Sequence, residues 1–123
     1  MKWASLIMGG VFGTLARYTL EGLVYKFAGA SFPYGTLAVN LSGCFLIGFL
    51  ASISEEKFLL SANARLLLMV GFCGAYTTFS TFMFETANLI QDGETWRAFS
   101  NVIASVIIGF ILFRLGVLLG EVI

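Results

Sequence analysis

Histidine is absent from this 123-residue sequence, which also holds one proline, two cysteines and charged residues at only 11%. Each shortage removes a class of function. With no His and no cysteine cluster, neither a zinc site nor a Ser/His/Asp triad has material to form. Cys44 and Cys73 both lie inside apolar runs, where a stabilising disulfide is not expected. The formal net charge is zero, so there is no basic footprint for nucleic acid. There is no GxxxxGK[ST] phosphate loop, no internal repeat and no low-complexity tract, so ATP coupling and solenoid architectures drop out as well.

Apolar surface is what the chain has in abundance. Hydrophobic residues make up 59% of it, and the mean hydropathy is +0.93. A soluble domain of this size cannot bury that much apolar area. Apolar runs of about 20 residues, long enough to cross a ~30 Å hydrocarbon core as helix, lie around Trp3 to Val24, Tyr34 to Ile53, Leu66 to Ile90 and Ala98 to Leu119. The fold expected is an all-α integral membrane domain of four transmembrane helices, one domain over residues 1–123. Lys2 ahead of the first run resembles a signal-sequence start, but the run continues past Arg17 without a small-residue cleavage site, so it reads as a structural helix.

With four spans, both termini share a side. Lys2, Lys57 and Arg65 then flank one face of the membrane, and Lys26 and Arg97 the other. A bias of three against two is too small for the positive-inside rule to fix one orientation, and insertion both ways is compatible with it.

Small and polar residues inside the spans carry the next signals. Gly9 with Gly13, and Gly116 with Gly120, form GxxxG pairs, which let helix backbones approach where lipid removes the hydrophobic drive. Their expected role is packing. The second run opens PYGTLAVNLSGCFLIG from Pro33 to Gly48, with Pro33 suited to a helix start. Thr36 and Asn40 share a helical face, extended by Gly43 and Cys44. Taken alone, Asn40 is equally well an interhelical hydrogen-bonding amide.

The third run contains GFCGAYTTFSTFMFE, Gly71 to Glu85. Gly71 and Gly74 weaken the helix, and the Thr77 and Thr78 hydroxyls compete for backbone partners, so a break is expected near the centre of this span. Such a break at membrane depth must be buried in protein or line a cavity, and its freed carbonyls can hold a cation. Beyond it, Phe79 and Phe82 lie three apart on one face, while Thr78, Thr81, Glu85 and Asn88 line the neighbouring face. Phenylalanine pairs at this spacing are commonly packing residues, and Glu85 has Arg17 or Arg114 as alternative structural partners. The coincidence of loosened backbone, hydroxyl run, paired aromatics and acid in one span points to a pathway for a small polar species. Donor groups and aromatic ring edges favour an anion, although hydroxyls also accept.

The motifs GTLAVN, Gly35 to Asn40, and GFCGAYTTFSTF, Gly71 to Phe82, resemble the signature of the Fluc (CrcB) family of fluoride channels, and the resemblance extends over the whole chain. It implies a dual-topology homodimer of two antiparallel copies, with two fluoride pores at the interface and the third helix broken near its centre. It also implies a structural Na⁺ held there by backbone carbonyls of both subunits, those of Gly74 and Thr77 in this sequence. By the same resemblance Phe79 and Phe82 turn ring edges toward fluoride, Asn40 is the pore amide donor, and Ser80 and Thr81 belong to a polar track. Glu85 falls in the inner conduction path, and Arg17 in a positively biased vestibule or in dimer contacts. In the fourth span Ser105 and Gly109 stand where a further polar contribution is expected, and Gly109 brings no side chain. The implied role is passive, non-enzymatic export of fluoride across the plasma membrane, after HF has entered and dissociated.

Two other readings predict different behaviour. A four-helix, proton-coupled drug exporter has similar size and topology, but places its essential carboxylate in the first helix, where this chain carries Arg17, with Glu21 only near the end of the run. A membrane scaffold whose polar residues only join helices predicts no ion flux, and gives the hydroxyl run from Thr77 to Thr81 no purpose.

Overall fold

The computed structural model describes every residue from Met1 to Ile123, and the chain is helical without a strand. Helix α1 is Lys2–Ala28. Helix α2, Tyr34–Ala51, runs on into a π-helical turn at Ser52–Glu56. Helix α3 covers residues 62–76, built from Ala62–Arg65, a π-helical stretch Leu66–Cys73 and a last turn Gly74–Tyr76. Helix α4, Ser80–Gln91, continues after an interruption. Helix α5 is Thr95–Val122, with a π-helical stretch at Ala104–Ile108.

Helix is what such a composition must form, because an unpaired N–H or C=O in hydrocarbon costs several kcal/mol. The segments Tyr34–Glu56, Ala62–Gln91 and Thr95–Val122 are long and apolar enough to cross a membrane. Helix α1 has 27 residues, about 40 Å at 1.5 Å per residue, but its second half carries Arg17, Glu21 and Lys26. The helices outrun the apolar runs: α1 continues past Val24 to Ala28, and α5 begins at Thr95 rather than Ala98. Hydropathy ends where hydrocarbon would end, whereas backbone pairing continues into polar surroundings.

Local signals set the ends. Pro33 precedes the first helical residue of α2 instead of lying in its first turn, and its carbonyl accepts the N–H of Leu37 at 3.1 Å. Ser61 accepts the N–H of Ala64 at 3.1 Å at the start of α3. At the end of α4, Gly93 adopts φ 78°, while its N–H reaches Ile90 and that of Glu94 reaches Leu89. This is a Schellman closure, which requires a left-handed residue and so favours glycine. The turn into α5 follows at once.

The glycine pairs build two separate seams. A Cβ at Gly9 would collide with the Leu67 carbonyl, and one at Gly13 with the Phe72 carbonyl, so α1 lies directly on α3 and parallel to it. A Cβ at Gly116 would strike the Phe45 carbonyl, and one at Gly120 would meet the Ser52 side chain at 2.6 Å, so α2 and α5 are joined in the same way. The packing role expected of both pairs is realised. Residues pointing away from the seams, among them Phe12, Ile107 and Phe110, are apolar and exposed, as lipid-facing or partner-facing positions should be.

Candidate functional site

The interruption falls at Thr77, Thr78 and Phe79, where the sequence predicts it. The N–H of Thr77 and its hydroxyl both donate to the Cys73 carbonyl, at 3.1 and 2.9 Å. Thr77 then turns extended, with φ −95° and ψ 159°. The N–H of Thr78 is turned away from the helix and donates to Asn40 Oδ1 at 2.8 Å, while Asn40 Nδ2 donates to the Thr78 carbonyl at 3.0 Å. One side chain on α2 thereby replaces the helical partners of a residue on the broken segment. Thr78 Oγ1 in turn accepts the N–H of Thr81 at 3.3 Å, occupying one of the free donors that open α4. Gly43 makes the approach feasible, because a Cβ there would overlap the Thr77 methyl group.

Arg17 reaches the same break from α1. Its Nε donates to the Ala75 carbonyl at 2.9 Å, its Nη1 lies 3.7 Å from Glu21 Oε1, and Glu21 Oε2 accepts the Thr36 hydroxyl at 3.3 Å. No N–H or hydroxyl of the chain reaches the carbonyls of Gly74 or Thr77. Space at Gly74 is open, with no atom within 4 Å of an added Cβ. Unpaired carbonyl oxygens are the hard donors a cation of the sodium or calcium type takes, and Gly74 and Thr77, which line one cleft, are the residues that could hold such an ion.

An open cleft of about 470 Å³ collects Asn40, Gly74, Thr77, Phe79, Phe82 and Ser105. The Phe79 and Phe82 rings are 5.8 Å apart and inclined at 60°, but they differ in setting. Phe82 is 6% exposed and Phe79 is 72% exposed. Of the two N–H groups on the Asn40 amide, one is committed to Thr78, and the other remains for a second acceptor. Ser105 Oγ is buried in this cleft without a partner. Gly109, by contrast, packs against Cys44, whose Sγ would lie 3.3 Å from a Cβ there, and serves the α2–α5 seam.

Other expected site residues lie apart from this cleft. Glu85 lines a second cleft of about 360 Å³ with Tyr25, Asn88, Asp92 and Glu94. Its Oε2 accepts the Tyr25 hydroxyl at 3.3 Å and its Oε1 is buried without a partner. It forms an ion pair with neither Arg17 nor Arg114. Ser80 is exposed and Thr81 half-buried on the turn between the two clefts. Two contacts join residues outside the expected site: Tyr76 and Ser42 share a hydrogen bond of 2.7 Å, and Asn101 Nδ2 donates to Thr86 Oγ1 at 3.0 Å. The only signal for the second was two polar residues within apolar spans.

Residues 4–117 match the family described as CrcB-like protein, Camphor Resistance (CrcB). The chain is 43% identical over 123 residues to a protein of Chlorobium phaeobacteroides, covering 98% of this chain and 95% of the relative. It is 43% identical over 122 residues to one of Solidesulfovibrio magneticus, covering 99% and 98%. With a protein of Geobacter metallireducens it shares 46% identity over 114 residues, covering 93% and 92%. Each of these relatives is named Fluoride-specific ion channel FluC.

Proposed function

Since this chain belongs to the CrcB family, we propose that it is a fluoride channel, a multi-pass membrane protein and not an enzyme, that lets fluoride leave the cytoplasm passively across the plasma membrane. The observation that carries the reading is the pairing of Asn40 with Thr78 beside Phe79 and Phe82. It holds open a helix break at which a donor amide, aromatic rings and a free hydroxyl face one cleft.

In this reading α1 is the fourth span, and two copies insert antiparallel with their clefts completed across a shared interface. The Gly74 and Thr77 carbonyls of both copies hold a central Na⁺, whose charge offsets the cost of bringing an anion into a low-dielectric region. Fluoride exchanges its water for the second N–H of Asn40, for hydroxyls including Ser80, Thr81 and Ser105, and for ring edges of Phe79 and Phe82. Arg17 raises the potential near the break, and Glu85 lies on the stretch toward the other end of α4. A narrow, donor-lined route favours a compact anion over larger halides.

Efflux from liposomes containing the purified protein, with a potassium ionophore present and fluoride and chloride electrodes recording, tests the reading. Fast fluoride release with negligible chloride release is expected. Absence of fluoride release from protein shown to be dimeric would sink it, and would turn attention to Glu85 and proton-coupled transport.

A further inference from the structure

The two halves of the broken helix have different main neighbours. Helix α3 is seated on α1 through Gly9 and Gly13 and receives Arg17 at Ala75. Tyr76, at its end, is joined to Ser42 of α2. Beyond the Asn40 clasp, α4 meets α1 through the bond of Tyr25 to Glu85 at 3.3 Å. Its main neighbour is the first part of α5, Thr95–Ile103, and the polar link between them is Asn101 with Thr86. Asn101 is 2% exposed and Thr86 is 8% exposed. Asn101 Nδ2 donates to Thr86 Oγ1 at 3.0 Å, and Thr86 Oγ1 donates to the Phe82 carbonyl at 2.7 Å.

This is a directed relay. A hydroxyl has one proton to give, and giving it to Phe82 leaves Thr86 an acceptor for the amide of Asn101. Both bonds are shielded from water, and a buried polar group that loses its partner bears the full desolvation penalty. The relay therefore resists any slide or rotation of α4 along α5, and it ends on the main chain of Phe82, whose ring lines the cleft. Neither Asn101 nor Thr86 lines that cleft.

We propose that Asn101 is a positioning residue, which acts through Thr86 to fix the half-helix carrying Phe82 relative to the Asn40 clasp. Its influence on fluoride selectivity rests on the channel reading above; its anchoring of α4 does not.

Hydrogen exchange on the purified full-length protein tests the anchoring. In Asn101→Leu and in the near-isosteric Thr86→Val, amides of residues 80–91 should exchange about tenfold faster than in the wild type, by loss of a buried bond, while residues 62–76 stay unchanged. Thr86→Ser, which keeps both bonds, should restore the wild-type pattern. Unchanged exchange over 80–91 in Thr86→Val, or equal acceleration in both halves, would overturn the proposal. Flux measurements then separate the two readings. If the wild type conducts, Asn101→Leu and Thr86→Val should each reduce the fluoride-to-chloride ratio by about tenfold, the double variant should lose no more than either single one, and Thr86→Ser should conduct normally. Normal selectivity in both single variants overturns the positioning role, whereas a wild type without flux overturns the channel reading and leaves the exchange result to decide the anchoring.

Discussion

Asn40 and Thr78 exchange two hydrogen bonds, 38 residues apart in sequence: the amide nitrogen donates to the Thr78 carbonyl at 3.0 Å, and the Thr78 N–H donates to the amide oxygen at 2.8 Å. A single side chain thus satisfies both main-chain groups of a residue that has left the helix. Asn40→Leu strands both, at a cost of about 1–3 kcal/mol per unpaired group. Asn40→Asp keeps the acceptor for Thr78 but loses the donor and adds a negative charge. Leu should lower the unfolding temperature in detergent and also reduce fluoride flux. Asp should abolish flux with a smaller loss of stability than Leu. An Asp variant with wild-type flux would remove Asn40 from the anion's route.

The two cleft phenylalanines should separate flux from stability. Phe82 is buried and Phe79 exposed, so Phe82→Ile should cost about 1 kcal/mol or more through lost packing, and Phe79→Ile should leave the unfolding temperature almost unchanged. Both should cut fluoride efflux by about tenfold or more if the rings face the ion. Normal efflux from both variants would show that the rings only pack.

The α1–α3 seam has no room for a methyl group. Gly9→Ala and Gly13→Ala each press a Cβ into main-chain atoms of α3, which cannot give way as a side chain tip can, and overpacking of this kind costs about 1–3 kcal/mol. Gly10, which faces open space, is the control. Size-exclusion profiles after heating should show early loss for Gly9→Ala and Gly13→Ala and none for Gly10→Ala.

If the Gly74 and Thr77 carbonyls hold the Na⁺ proposed above, stability becomes a function of sodium. A cation bound only by the folded protein stabilises it by about 2.7 kcal/mol at a hundredfold excess over its dissociation constant. Replacing Na⁺ with a bulky organic cation should therefore lower the unfolding temperature and the fluoride flux, and returning Na⁺ should restore both. Identical melting curves in the two salts would argue against a cation at the break.

The membrane character, the positions of the helices and the place of the break were legible because each is a local property. Hydrocarbon demands apolar side chains and internally paired backbone over about 20 residues, and Gly74 followed by Thr77 and Thr78 violates that pairing where it stands. The packing use of Gly9, Gly13, Gly116 and Gly120 was legible for a similar reason, since small residues at i and i+4 mark a face whatever helix meets it. Which helix meets it was not.

Partner identity depends on register between helices, and the glycine seams decide that register only once the chain has folded. Hydrogen-bonding capacity allowed Asn40 an interhelical partner without naming Thr78, and charge left Arg17 or Arg114 as an alternative partner for Glu85, where the structure supplies Tyr25. Arg17 meets the Ala75 carbonyl because α1 and α3 run parallel at close range. Glu85 is separated from the Phe79 and Phe82 cleft because it lies further along α4, where Tyr25, Asn88, Asp92 and Glu94 line a second cleft with it. Local pattern was enough to define a helical membrane protein with a weak point in its third span. What grips that weak point emerges only on folding, because the contacts that do so join residues 38 and 58 positions apart.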